Sequence, residues 1–157
     1  MGYDGYKRKK GSKIHAAVTK QGLPLNTIIS PGNDHDSLMF KEVVDSIRIK
    51  LPKGRPRTRP GELLADPAYD TTEIRKYLRN RGIQSNIPCN KRNSKTPRSG
   101  RPVRFDDRSY KDRGAVERFF AWLLSFKRII IRHERLVRTY QAFINLASIL
   151  ILWRVLK

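Results

Sequence analysis

Apolar residues recur along this chain with two periods, and the change between them marks most of the expected element boundaries. Residues 13–19, Lys-Ile-His-Ala-Ala-Val-Thr, alternate as a half-buried strand does. Gln21-Gly22-Leu23-Pro24 supplies a turn and Leu25 to Ser30 a second strand, so a β-hairpin is expected over 13–30. A helix is expected from about 38 to 49, with Asp36 or Ser37 placed to cap it. Residues 51–61, Leu-Pro-Lys-Gly-Arg-Pro-Arg-Thr-Arg-Pro-Gly, suit neither a helix nor a central strand, because proline removes a backbone donor and fixes φ. A short apolar strand, Glu62 to Ala65, then ends at Asp66-Pro67. A helix follows over 71–80 with Asp70 as its cap, Arg81-Gly82 stops it, and 83–88 reads as another strand ending at Pro88. Val116, Phe119, Phe120, Leu123, Phe126 and Ile130 fall at i, i+3, i+4 spacing, which predicts one helix over about 111–131 and leaves a last helix over 139–156. Trp122 and Trp153 sit at helical spacing inside these stripes and are expected in the core. The apolar run 143–156 is short and interrupted by Asn145, Ser148 and Arg154, so it predicts a buried helix and not a membrane span.

Strands alternating with helices give an α/β class, and 157 residues suffice for one domain or most of one. Charge adds a partner. With 34 Lys and Arg against 14 Asp and Glu, the net charge is +20, which calls for a polyanion. Nucleic acid is favoured over an anionic membrane because the cations lie in several clusters and not along one amphipathic helix. The first cluster, Lys7, Arg8, Lys9 and Lys10, belongs to a basic arm over 1–13. The second, Arg55, Arg57 and Arg59, lies in the loop 51–61. The third, Lys91, Arg92, Arg98 and Arg101, lies in a loop over 90–104 that carries six positive charges and no negative one; Lys127 and Arg128 add a basic pair among the last helices. Each cluster reads either as a solvated surface or as a segment tracking a DNA backbone, and the uncompensated total favours the second. The lone Cys89 permits no internal disulfide and no zinc cluster, and the first residues contain no apolar signal segment, so a reducing, cytoplasmic and nucleoid-associated location is expected.

Three positions invite chemistry. Asp66 ends an apolar strand, and the carboxyl edge of a sheet is where open α/β folds bind ligands; the bland reading is a turn cap. Glu117 lies beside the apolar stripe of its helix, one turn after Arg113. The two form a surface ion pair or jointly face a ligand that carries phosphate and metal. Asp34, His35 and Asp36 are metal-capable but crowded into a Pro-Gly turn, where turn and cap roles are the expected ones. His15 is expected as a strand residue.

Taken together, Tyr110-x2-Arg113-x3-Glu117 with the following Arg-Phe-Phe-Ala-Trp-Leu, and Leu64-Ala-Asp66-Pro-Ala-Tyr69-Asp70, resemble the acidic motifs of bacterial insertion-sequence transposases. So does the hairpin that runs from Gly11-Ser-Lys-Ile-His15 through Gly22-Leu-Pro-Leu25 to Ser30-Pro-Gly-Asn-Asp-His-Asp36. These are DDE enzymes of the RNase H-like superfamily. The resemblance implies a mixed sheet with flanking helices and a site of three carboxylates in the order Asp, Asp, Glu. It also implies Mg²⁺ or Mn²⁺ as cofactor, with DNA cut at transposon ends and joined to a target. Asp66 matches the second carboxylate and Glu117 the third, 51 positions later, with Arg113 and Tyr110 as companions. The family has a Lys separated from the Glu by six residues; Leu124 stands there, so that role is vacant or moves to Lys127.

The first Asp of the family ends a central strand upstream of the Gly-Ser-Lys-Ile-His segment, where this chain begins. Asp4 is a poor substitute, since no apolar strand precedes it. The resemblance therefore implies the downstream part of a transposase: an incomplete RNase H-like sheet with an unpaired edge, inactive alone, and acting with an upstream reading-frame product or as a homo-oligomer. A second class stays open, a non-catalytic DNA-binding protein or transposition inhibitor. A basic RNA-binding protein would explain the charge but not the settings of Asp66 and Glu117.

Overall fold

The computed structural model describes residues 2–4, 8–90 and 102–157, apart from the side chains of Asp4 and Lys9. In chain order the elements are β1 (Gly2–Asp4), β2 (Lys9–Val18), β3 (Pro24–Pro31), α1 (Asp36–Asp45), β4 (Glu62–Leu64), α2 (Thr72–Asn80) and β5 (Gln84–Asn86). They continue with α3 (Asp107–Tyr110), α4 (Gly114–Leu123), α5 (Lys127–Ile130) and α6 (Val137–Leu156). Short 3₁₀ turns stand at Pro67–Tyr69 and Lys111–Arg113. The chain divides into two compact units, one of Met1–His35 with Gly114–Lys157 and one of Asp36–Arg113.

In the first unit the three strands form an antiparallel sheet in the order β1-β2-β3. Ile14, Ala16 and Val18 fall on one face of β2 by the two-residue period and pack, with Ile29 of β3, against a core of Phe119, Leu123, Ile129, Tyr140, Ile144, Ala147 and Ile151. His15, on the opposite register, is buried and shares a 2.9 Å hydrogen bond with Ser30 Oγ. At the hairpin turn Gly22 has φ +86°, and a Cβ there would lie 3.1 Å from the carbonyl of Ala115, so both conformation and space require glycine. Gln141 Nε2 of α6 donates to the Thr27 carbonyl at 3.1 Å, tying the last helix to β3.

The second unit is a strand-helix-strand arrangement. β4 and β5 pair in parallel, with Glu62, Leu63 and Leu64 opposite Gln84, Ser85 and Asn86, and α2 makes the crossover that a parallel pair needs. Ile74 and Leu78 of α2 join Phe40, Val44, Ile83 and Ile87 in its core, with Leu63 and Ala65 packed alongside. The helix α2 ends in a paired glycine stop: Gly82, φ +64°, donates to Arg79 O at 2.9 Å, and Ile83 donates to Leu78 O at 2.9 Å.

Four sequence expectations differ from this structure. The arm over 1–13 contains regular structure, because Gly2–Asp4 pairs with Lys9–Gly11; a neighbouring strand supplied what periodicity could not show. The first helix stops at Asp45, where Ser46 Oγ bonds back to Glu42 O at 2.6 Å, and Ile49 instead exchanges backbone bonds with Arg57. The helix expected over 111–131 is broken after Leu123, where Ser125 Oγ takes the Trp122 carbonyl at 2.7 Å and the last turn tightens. Finally, α6 is buried on one side only. Trp122 is half-buried against the core, but Trp153 is 69% exposed, with Leu146, Ile149 and Leu156 also facing outward. By length and composition alone α6 is apolar enough to cross a membrane.

Candidate active site

Asp66 stands two residues beyond the end of β4, at the carboxyl edge of the parallel pair. Its backbone is extended (φ −68°, ψ 160°), its carbonyl accepts from Tyr69 N at 3.0 Å, and its side chain makes no capping bond to the turn that follows. The capping explanation for this residue therefore fails. The carboxylate projects to solvent, 56% exposed, and its Oδ1 accepts a hydrogen bond from Arg113 Nη1.

Arg113 reaches Asp66 because the segment carrying it is stitched to both parallel strands. Buried Asn86, the last residue of β5, donates to Asp106 O at 2.9 Å and accepts from Asp106 N at 3.0 Å. Asp106 in turn caps α3, its Oδ1 accepting from Arg108 N at 2.9 Å. Ser109 Oγ donates to Glu62 Oε2 at 2.7 Å, fixing α3 to β4. The 3₁₀ turn Lys111–Arg113 then follows directly. Asn86, Asp106, Ser109 and Glu62 are positioning residues with no motif of their own.

Tyr110 completes the group. The Arg113 guanidinium lies 5.5 Å from its ring centroid, and the Phe105 ring packs on it at 5.0 Å with the planes inclined by 60°. Burial raises the Tyr110 hydroxyl above its ordinary pKa, Arg113 opposes this, and Asp66 adds to it. Tyr69, packed on Phe40 at 5.4 Å, is pushed up to about 12 by burial first and then by Asp36 and Asp66. Both phenols thus stay protonated at neutral pH, able to donate hydrogen bonds and unsuited to act as phenolate nucleophiles.

The second Asp of the motif has a different task from the one expected. Asp70 does not cap α2; Thr71 does, its Oγ1 accepting from Ile74 N at 3.2 Å. Asp70 is 1% exposed and holds Arg75 Nε at 2.6 Å through Oδ1 and Asn90 N at 2.7 Å through Oδ2. Arg75 also donates to Ile87 O at 2.8 Å, so the pair pins the crossover helix to the segment after β5.

Glu117 belongs to the other unit, exposed in the first turn of α4, where a carboxylate is favoured by the helix dipole. Among the described residues no three of His, Cys, Asp and Glu come together. Of the cations expected to meet DNA, Arg8, Lys10, Arg55, Arg57, Arg59 and Lys127 are exposed. Arg128 is partly spent: its Nε and Nη2 both lie 3.2 Å from Oε1 of buried Glu134, and it covers the Phe143 ring at 5.0 Å. Lys7, Lys91, Arg92, Arg98 and Arg101 lie outside the described residues, as does the side chain of Lys9.

The family model for the transposase DDE domain matches the chain over residues 1–152. The chain belongs to that family. Among curated proteins it is 34% identical over 150 residues to a Burkholderia cepacia protein described as the transposase for insertion sequence element IS402. It is 29% identical over 140 residues to a Brucella ovis protein described as the transposase for insertion sequence element IS6501. The chain spans 66% of the length of the first relative and 96% of the second. No solved structure matches it.

Proposed function

We propose that this chain acts in DNA transposition by metal-dependent cleavage and joining of DNA strands at transposon ends, with Asp66 and Glu117 as its carboxylates. The observation that carries the reading is the exposed Asp66 carboxylate past the end of β4, not used for capping and held by Arg113. Hard, solvent-facing oxygens of this kind suit Mg²⁺ or Mn²⁺, so the donor type fits, and Asp66 and Glu117 would hold the ion. Bound ions of this kind would supply activation of the attacking water or 3′-OH and stabilisation of the leaving oxygen, the two roles falling to two ions. Arg113 fixes the orientation of the Asp66 carboxylate and balances its charge, and the Tyr110 ring keeps the guanidinium in place. The basic clusters supply sequence-independent grip on the DNA backbone. The same reading takes the fold to be of the RNase H-like class.

The test is Mg²⁺- and Mn²⁺-dependent nicking of DNA carrying the element's ends, using this chain and a version extended upstream. Cutting by either form that disappears in both Asp66→Ala and Glu117→Ala is the expected result. Cutting that survives both substitutions would remove these carboxylates from the site. DNA binding without cutting by either form would favour a binding protein or transposition inhibitor.

A further inference from the structure

Within the second unit, the loop 51–61 and the end of α2 enclose an open cleft of about 640 Å³, lined by Arg57, Thr58, Arg59, Asn80, Arg81 and Gly82 among others. Its walls are polar, and three of its side chains are guanidinium groups.

These arginines are held by the main chain around them. Arg57 exchanges backbone bonds with Ile49 at 2.8 and 2.9 Å, which anchors an otherwise exposed, proline-rich loop. Its Nε donates to Arg59 O at 3.4 Å, and Arg59 Nη1 donates to Arg81 O at 3.1 Å. Arg81 spans the cleft's base: Nη1 bonds Asp45 and the Tyr77 hydroxyl, and Nη2 donates to Thr58 O at 3.3 Å. Gly82 makes room for this. A Cβ at that position would lie 3.3 Å from Arg59 Nη1, so the residue that stops α2 also lets the arginine close over the helix end. The Asp45 carboxylate offsets Arg81, whereas no carboxylate among the described residues lines the cleft beside Arg57 and Arg59.

A guanidinium fork in fixed orientation matches the paired oxygens of a phosphate, and pre-positioning lowers the ordering cost of binding. The cleft is open to the surface and larger than a single phosphate requires, which suits a strand passing through it. We propose that this cleft clamps the sugar-phosphate backbone of DNA, with Arg57 and Arg59 as the phosphate contacts and Arg81 as the residue that holds the loop against α2. The inference rests on the DNA-binding part of the function proposed above, but not on cleavage.

The experiment measures affinity of the full chain for duplex DNA of arbitrary sequence across a series of NaCl concentrations. Each phosphate contact contributes about 0.9 to the slope of log K against log[salt]. Arg57→Gln with Arg59→Gln should lower the slope by about 1 to 2 and weaken binding by roughly tenfold near 0.1 M salt. A control of equal charge change, Lys20→Gln with Lys41→Gln, should alter it much less. Because Arg59 also helps hold the loop, Arg57→Gln alone is the second variant; its backbone bridge to Ile49 is untouched, and its slope should fall by about 1. A slope that moves no more than in the control overturns the proposal. So does saturable binding of inorganic phosphate that Arg57→Gln abolishes while leaving the DNA slope unchanged, which would make the cleft a free-anion site. The salt slope is read without Mg²⁺ or Mn²⁺, so a slope that falls in Arg57→Gln while neither form of the chain cuts DNA would keep the clamp and remove only the cleavage reading; the two failures are separable.

Discussion

Arg75 Nε donates to Asp70 Oδ1 at 2.6 Å with the carboxylate fully shielded from water, four residues after an aspartate that is more than half exposed. One motif therefore contains two carboxylates with opposite duties. Asp66 faces outward with Arg113, and Asp70 locks the scaffold that presents it.

The contrast is measurable as stability. Asp70→Asn leaves the largely shielded Arg75 guanidinium without its counter-charge and should cost about 3 kcal/mol. Asp66→Asn removes an exposed pair and should cost under about 1 kcal/mol. Urea or thermal unfolding of the two variants checks this; equal losses would mean that Asp70 is not the anchor described.

Arg113→Lys keeps the charge but loses the planar fork and its stacking on Tyr110. Nicking should fall by at least about tenfold, roughly 1.4 kcal/mol in the barrier, while the melting temperature barely moves. Tyr110→Phe retains the ring and should retain most of the activity. A greater loss in Tyr110→Phe than in Arg113→Lys would shift the chemical role from the arginine to the phenol.

Gly82→Ala forces a side chain into a left-handed conformation at the end of α2, at a cost of about 1 kcal/mol. It also crowds Arg59, so the variant should lose DNA affinity beyond what its modest destabilisation explains. Normal affinity in a destabilised Gly82→Ala would show that Arg59 does not need this approach.

Burial works to raise the Glu134 carboxyl, but its own backbone N–H and Arg128 outweigh that and hold it below its ordinary value. A depressed carboxyl stabilises the fold above its unfolded pKa, near 4.5, and that contribution is lost as pH falls through the folded value. The melting-temperature gap between the wild type and Glu134→Gln should be full at neutral pH and shrink below about pH 4.5. A gap that stays constant down to pH 3 would contradict it.

Much of the strand-helix-strand unit was legible in the sequence, because β4 is a short, largely apolar run closed by Asp66-Pro67, α2 is stopped by a glycine, and the strand after it lies between that glycine and Pro88. The position of Asp66 followed from that punctuation. The role of Asp70 did not, since its partners lie five and twenty residues away and nothing local distinguishes a cap from a buried ion pair. The same holds for Asn86 and Ser109, whose bonds to Asp106 and Glu62 exist only once the strands are side by side. In α6 the obstacle was different. A helix with apolar residues on its outward face as well as its inward one gives no clear period from which to choose between them, so Trp153 could not be told from Ile151.

Ile151 is the last buried residue of α6, and the five residues from Trp153 to Lys157 are all exposed. The final turn of the helix, Trp153 to Leu156, is thus a stalk beyond the core, held by its own backbone ladder and not by packing. A fluorophore or affinity tag joined there would move with the first unit as a rigid extension while leaving its interior untouched.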